Sequence, residues 1–577
     1  MGAGRDPPPA DGGAHRGDVA GGPESFVRIG WRVSVRITFL GGLGEVGRNC
    51  AALEVDGMIC LIDCGLMFPE ADMLGVDLVF PDWSWVVERA GDVECVVLTH
   101  GHEDHVGALG YFLEQVNVPV YGTDLSLQIA GERIKELGVA PDLRPVPTGD
   151  EIRHGPFFFT LIPVCHSIPD AVAVAFDTPE GVILHSGDFK LDPTPIDDRA
   201  TDLAALAEFG DRGVRLYLGD STNAERSGFV PSESSLAGPI TDIVRNAEGR
   251  VIAACFASHI HRVQQIVDAG VAAGRRVALA GRSMMRNSRI ASDLDALTLP
   301  EGHVVSVNEL LRLYPSQQLL IATGSQGEPF SALSRMSNGT HRQISLEKGD
   351  TVLISATPVP GNEKAVSKLV SGMLRLGADV YHGLNSPVHV SGHGARDELA
   401  VMLRLVRPEA FVPVHGEYRH LHAHAHLAEE VGVEQVEILE DGDRVVIDGD
   451  DLWVERGVVE ADYVFLDGSS LGGVQTRVLR DRSRLSEAGV VTVAVVIDAG
   501  SGELIYDPSF ASWGLVDDPA AVLDAAADEV VELVSARMAD GLTDRDQLRA
   551  VVRRTVARVV RDETRQRPVV LVEIVEV

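Results

Sequence analysis

Four side chains able to bind a metal ion fall within six residues: His100, His102, Asp104 and His105, in the run VVLTHGHEDHVGAL. They follow directly on an apolar stretch that reads as a strand ending at Thr99, so a tight turn must hold them. Such a turn can present two imidazoles to one side and an Asp/His pair to the other, an arrangement that suits two borderline-soft cations side by side. A lone HxH would more often cap a helix; the longer run, placed straight after a strand, points to metal. One loop cannot complete a two-metal site. Three more residues of ligand type emerge from apolar runs: His166 after FFFTLIPVC, Asp188 within GVILHSGD and His415 after AFVPV. Each alone reads as a turn residue, and jointly they complete the set. The segment HVSGHG adds an anion-binding feature, since Gly392 and Gly394 let backbone N–H groups come close and Ser391 offers a hydroxyl.

The elements that must position these residues alternate in kind. From Val35 the run VRITFLGGLGEVGRNCAALEVDGMICLIDCG reads as β-branched strands separated by glycine turns, and ALGYFLEQVN and LSLQIAGERIKELG as helices, so the class is α/β. In a second segment, about 227–385, GRVIAACFAS is a strand, HRVQQIVDAGVAAG an amphipathic helix ending on Gly274, and RRVALAG another strand: a βαβ unit. After Gly468 come turn residues, then the strand VVTVAVVIDA, two helical stretches and the terminal strand PVVLVEIVEV. Residues 1–34, dominated by Gly, Pro and Asp, read as a disordered leader.

At 577 residues the chain exceeds the ~250–300 at which single cores stop growing, so several domains are expected. No window is apolar enough to span a membrane and no signal peptide is seen, which places the protein in the cytoplasm. Six scattered cysteines without CxxC pairs read as buried thiols. The net charge of −35 is opposite to the usual footprint of a nucleic-acid binder. Any RNA contact must therefore be local, in a groove or on strips such as Arg282, Arg286 and Arg289 or Arg553 to Arg567.

HxHxDH followed by a later His, Asp and His resembles the metallo-β-lactamase superfamily, and the similarity is closer to the ribonuclease J family. The segments FLGGLGEVGRN, LIDCG, FPEADMLGVD, THGHEDHVG, HSIPDA, HSGDFK, DSTNAE, TGSQGEP, SNGTHRQI, HVSGHG and PVHGEYRH carry it. The resemblance implies a metallo-β-lactamase αββα sandwich (35–226 and 386–467) with an inserted β-CASP α/β domain (227–385). It also implies a linker (468–484) and a small C-terminal α/β domain (485–577) that self-associates as a dimer or tetramer. By the same resemblance His100, His102 and His166 hold one zinc, Asp104, His105 and His415 the other, and Asp188 bridges them. Asp63 supports the ligand loop, and Asp220 and His393 form an acid/base pair. Ser258, His259 and Ile260, with His389, Val390, Ser391, Gly392 and His393, enclose the substrate's terminal phosphate and nucleotide. The family often has Asn where this chain has His259. A calcium ion on the carbonyls of Leu74 and Val76 with Asp467 is also implied.

The activity implied is a zinc-dependent ribonuclease, a 5′-to-3′ exonuclease preferring 5′-monophosphate ends with endonuclease activity, acting in RNA maturation and mRNA decay beside other RNA-decay enzymes. A hydrolase of small esters or thioesters would account for the first metal motifs but not for Asp220, HVSGHG or the insertion. A metal-free RNA-binding scaffold would not need every ligand position filled.

Overall fold

The computed structural model describes residues 34–70, 72–328, 331–358, 362–468, 470–501, 503–539 and 544–577; the glycine-rich leader expected at 1–34 lies almost wholly outside them. Two sheets stack face to face. The first has eight strands, in the order Asp451–Glu455, Arg444–Asp448, Val35–Gly41, Cys50–Val55, Met58–Ile62, Val93–Val97, Val120–Gly122, Leu143–Pro145. The second has seven: Gln435–Val436, Ala410–Val414, Val214–Asp220, Gly181–His185, Val172–Thr178, Phe157–Pro163, Glu151–His154.

Period-two patterning decides which side chains meet between the sheets. Ile37, Phe39, Leu53, Ile62 and Val97 from the first interleave with Phe159, Leu161, Val174, Phe176, Leu218 and Val412 from the second. Burying a side chain of this size stabilises by roughly 1.5–3 kcal/mol. The outer faces are apolar too, so each needs a cover. Helix Asp124–Glu136 packs over Leu61, Val96 and Leu98. Helices Leu203–Arg212, Arg396–Val406 and Tyr418–Val431 pack over Ala173, Leu184, Tyr217 and Phe411. The result is the four-layered αββα sandwich.

Between Asp220 and Arg396 the chain builds a separate five-stranded sheet, Arg276–Ala280, Gln318–Ala322, Val251–Ala254, Thr351–Ile354, Asp379–His382, parallel throughout. Its central strands are near-continuous apolar runs because helices cover both faces. The βαβ unit read from sequence is present, with Gln318–Ala322 inserted between its two strands.

Two features at the C-terminal end depart from the sequence reading. The stretch expected as linker is helical from Thr476 to Ala488, since only 468–475 is rich in turn residues. An unexpected strand, Leu504–Trp513, pairs with Val490–Ile497, which runs parallel to Val569–Glu576. Pro508 argues against a strand, and the sheet accommodates it because this strand is at the edge. Helices Ala520–Ala539 and Arg545–Thr564 pack on this sheet.

Candidate metal centre and catalytic pair

Parallel strands deliver the site. Asp188, Asp220 and His415 lie at the carboxyl ends of three neighbouring parallel strands, Gly181–His185, Val214–Asp220 and Ala410–Val414. The HGHEDH loop leaves strand Val93–Val97 of the facing sheet, and His166 follows Phe157–Pro163. Their ligand atoms form two groups that share Asp188: His100, His102, His166 and Asp188, and Asp104, His105, Asp188 and His415, with all atoms of a group within 4.8 Å of one another.

In the first group Nε2 of His100 and Nε2 of His166 lie 3.0 and 3.2 Å from Nδ1 of His102. Ligand nitrogens about 2.0–2.1 Å from a tetrahedral ion stand roughly 3.3 Å apart, so this spacing fits a metal. The outer nitrogens are engaged elsewhere. His166 donates through Nδ1 to the Gly392 carbonyl (2.9 Å), and His100 Nδ1 meets the Thr99 hydroxyl (3.1 Å). In the second group His105 and His415 each place Nε2 3.3 Å from the Asp188 carboxylate. His415 is buried, yet neither of its ring nitrogens makes a hydrogen bond, as expected of a side chain kept for a cation. Its φ of +56° is unusual for a residue with a side chain and marks strain at a functional position.

Asp63 is spent entirely on this loop. Its carboxylate accepts from the Thr99 N–H (2.8 Å), the Thr99 hydroxyl (2.7 Å) and His105 Nδ1 (2.7 Å), which turns the His105 Nε2 lone pair toward the Asn49 amide (3.1 Å) and Asp188 (3.3 Å). Burial holds His100 and His166 well below the ordinary imidazole range and His102 at about 4, so all three stay in the neutral form that metals bind.

A third convergence joins Asp188 and His415 to Asp220 and His393. His393 Nδ1 lies 2.8 Å from Asp220, and its Nε2 lies 3.9 Å from Asp188. Burial works against a charged His393, but the Asp220 and Asp188 carboxylates outweigh it and hold the pKa up at about 9. Bound cations would oppose that charge and bring the value down.

Several anticipated contacts differ in kind. Ile260 and Val390 have their side chains packed in the core of the inserted domain, so backbone groups are what they have to offer a ligand. His259 caps helix Ile260–Ala272, its Nδ1 accepting from the Arg262 N–H (3.3 Å); an imidazole fills the place in which Asn would serve equally. Two backbone amides of HVSGHG are already used, His393 N–H on the Ser391 hydroxyl and Gly394 N–H on the Phe189 carbonyl. Gly392 is required by packing, for a Cβ there would stand 2.8 Å from His166 and Ser167. Of the remaining polar groups, Ser391 accepts from the His393 N–H (3.1 Å), while buried His259 Nε2 and His389 Nδ1 make no hydrogen bond. At the expected calcium position the Leu74 carbonyl (2.9 Å) and the Asp467 carboxylate both accept from Arg482, so a guanidinium supplies the positive charge there.

Asn223 gives no sign of its role in the sequence beyond lying three residues after Asp220. Its Nδ2 donates to the Ser391 hydroxyl (2.8 Å) and the His393 carbonyl (2.7 Å), clamping the loop that carries His393. Glu398, fully buried, accepts from the N–H groups of Leu191, Val230 and Ala395 and so ties both crossings into the inserted domain to the sandwich.

Four family models match the chain: Metallo-beta-lactamase superfamily over residues 43–228, the Ribonuclease J beta-CASP domain over 248–373, the Zn-dependent metallo-hydrolase RNA specificity domain over 378–439 and the Ribonuclease J C-terminal domain over 477–577. Ribonuclease J of Mycobacterium tuberculosis H37Rv is 42% identical over 546 residues, 94% of this chain and 97% of that protein. The chain belongs to the ribonuclease J family. Ribonuclease J of Mycolicibacterium smegmatis is 40% identical, covering 94% of this chain and 97% of that protein. Ribonuclease J2 of Bacillus subtilis is 37% identical, covering 94% and 99%. A solved structure of a protein of unknown function from Enterococcus faecalis V583 shares the fold, with a TM-score of 0.52 at 15% identity over 72% of this chain and all of that one. Family membership and the His/Asp cluster together make this a metal-dependent ribonuclease with RNA as its substrate. Among the described residues, no helix is long and apolar enough to cross a membrane.

Proposed function

We propose that the chain hydrolyses RNA phosphodiesters with two zinc ions, removing nucleotides from a 5′-monophosphorylated end and also cutting internally, in RNA maturation and mRNA decay. The observation that carries this reading is the His393–Asp220 pair set against Asp188, the carboxylate common to both ligand groups. His100, His102 and His166 would hold one ion and Asp104, His105 and His415 the other, with Asp188 between them. Zinc bound there supplies a water of lowered pKa and polarises a phosphoryl oxygen.

The chain's own residues do the rest. Asp220 accepts from His393 Nδ1–H and stabilises the charged imidazolium, whose Nε2–H is the proton offered to the departing oxygen. Ser258, His259, His389, Ser391 and His393 provide the polar groups for one terminal phosphate, which anchors the strand with its first phosphodiester at the metals. A triphosphate end brings two further phosphoryl groups and more charge than this single-phosphate set matches, so it is disfavoured. The C-terminal domain mediates self-association into a dimer or tetramer; exposed Tyr506, Trp513, Leu571 and Val575 support this.

The test compares one 3′-labelled RNA bearing a 5′-monophosphate, triphosphate or hydroxyl, with zinc present. Mononucleotides should leave the monophosphate end fastest and the triphosphate end slowest. Equal rates on those two would overturn the pocket; no cleavage of any RNA by protein carrying about two zinc ions would overturn the nuclease.

A further inference from the structure

The basic strip Arg282, Arg286 and Arg289 does not act as one surface. Arg286 pairs with Glu136 (3.1 Å) and Arg289 with Glu132 (3.3 Å), both on helix Asp124–Glu136 of the sandwich. These two arginines are paired across to the sandwich, unlike Arg282.

Arg282 lines a cleft of about 240 Å3 with Gly281, Thr323, Ser331, Arg335 and His341. Among the described residues, no carboxylate lines this cleft. Among the described residues neither Arg282 nor Arg335 makes an ion pair, in a chain where acidic groups outnumber basic ones by 85 to 50. His341 Nδ1 accepts from the N–H groups of Gln343 and Ile344 (3.3 and 3.2 Å), which leaves its proton on Nε2 as a donor. Burial and then the Arg335 charge lower its pKa, so it donates as a neutral ring. The Ser331 hydroxyl is spent on the Glu328 carbonyl (2.7 Å), so the cleft offers two guanidinium groups, an imidazole N–H and the Thr323 hydroxyl, a donor set for a tetrahedral anion.

Position narrows the ligand. The cleft sits at the carboxyl ends of strands Arg276–Ala280 and Gln318–Ala322, and ligands of open α/β sheets bind along that edge. Strand Val251–Ala254, which leads into Ser258 to Ile260, is the next neighbour on the same edge and runs in the same direction. Strands stand about 4.8 Å apart, so the cleft begins one to two strand widths, roughly 5–10 Å, from the loop beside the catalytic pair. Asn287, on the helix that Arg282 opens, donates to the Ala257 carbonyl (3.3 Å) and fixes the cleft to that loop. Glycines close the turns: Gly281 and Gly324 both have φ of +112°, and a Cβ on Gly324 would stand 2.4 Å from the Ser331 hydroxyl.

We propose that Arg282, Arg335 and His341 form a second phosphate site, which holds a backbone phosphate of the RNA strand outside the catalytic pocket. The proposal rests on the ribonuclease reading and extends it: grip on a long substrate is separated from grip on its end. A strand of two or three nucleotides would be bound by the catalytic pocket alone, and a longer one by both sites.

The test uses the full zinc-loaded protein, with Arg282→Ala/Arg335→Ala beside Arg282→Lys/Arg335→Lys. Binding of a 20-nucleotide RNA carrying non-cleavable phosphorothioate linkages is followed by fluorescence anisotropy, and cleavage is measured on that sequence and on a 5′-phosphorylated trinucleotide. The alanine pair should weaken 20-mer binding at least 10-fold and reduce its salt slope by about 0.7, the contribution of one phosphate on a single strand. Trinucleotide turnover should stay at the wild-type rate, and the lysine pair should recover most of the binding. Unchanged 20-mer affinity, or equal losses on both lengths, would overturn the site. Inorganic phosphate and AMP form the other arm: if either binds in an Arg282-dependent way while 20-mer affinity is the same in all variants, the cleft serves a free phosphorylated ligand and the RNA assignment is overturned. Because binding is read without cleavage, a wild type that grips the 20-mer but cuts nothing would defeat the ribonuclease reading and leave the cleft to be judged by its own variants.

Discussion

Replacing Asn223 by alanine should slow RNA cleavage by roughly 30-fold while metal content stays at the wild-type level. Its amide makes two bonds, to the Ser391 hydroxyl at 2.8 Å and the His393 carbonyl at 2.7 Å, and both acceptors belong to the loop that presents the proton donor. Each bond contributes a net ~0.5–1.5 kcal/mol, so about 1–3 kcal/mol of preference for the working loop position is lost. At about 1.4 kcal/mol per factor of ten, that is roughly 5- to 150-fold in the population of aligned His393. Asn223→Asp should be worse, since a carboxylate would face two acceptors. Single-turnover cleavage of a 5′-monophosphorylated RNA, with zinc measured on the same samples, reads the effect. The decisive comparison is made in a His393→Ala background, where Asn223→Ala should add less than about 3-fold because the group it positions is gone. Wild-type turnover in Asn223→Ala, loss of zinc, or the full factor reappearing without His393 would each refute the reasoning.

Asp63→Ala removes the 2.7 Å bond that orients His105 and both anchors of Thr99, and zinc affinity should fall ~10–100-fold in a chelator competition. Burial pushes fully enclosed His424 down to about 3, against about 6.5 in the unfolded chain. Above pH 6.5 its contribution is therefore intact. Below that pH the unfolded state binds a proton that the folded state refuses, and stability should drop by about 1.4 kcal/mol per pH unit, or about 2 kcal/mol between pH 7 and 5. His424→Gln should lose that part of the slope in urea unfolding. Arg482→Ala should acquire a calcium-dependent rise in thermal midpoint, because the Leu74 carbonyl and Asp467 would then lack their cation; a calcium response in the wild type would contradict the assignment.

The candidate metal ligands were legible because their types are rare and they sit where apolar runs stop. A strand end exposes whatever residue follows it, so His166, Asp188 and His415 could be picked out without any knowledge of how the sheets pair. The inserted parallel sheet was legible from the unbroken apolar runs RVIAA and RVALA. What stayed hidden depends on contacts between distant segments. Asn223 and Ser391 are 168 positions apart and Glu398 lies 207 from Leu191, so nothing local marks either contact. The guanidinium between Leu74 and Asp467 comes from Arg482, 408 positions beyond Leu74, within the stretch that the sequence marks as a linker. Strand Leu504–Trp513 was missed for a different reason: Pro508 opposes a strand locally, and only its place at the sheet edge removes the objection.

The insertion divides the active centre in time as well as in sequence. His100, His102, His166 and Asp188 are made first, whereas His393 and His415 come only after the whole parallel sheet, His415 being 249 residues after His166. At ~5–20 residues per second a ribosome needs on the order of 12–50 s to cross that interval. Strand Ala410–Val414 must also slot between Val214–Asp220 and Gln435–Val436 before its histidine can reach Asp188. A nascent chain thus holds the whole first ligand group, whereas the second still lacks His415 and His393 has yet to be made. The centre therefore closes only once strand Ala410–Val414 has joined its sheet, late in synthesis.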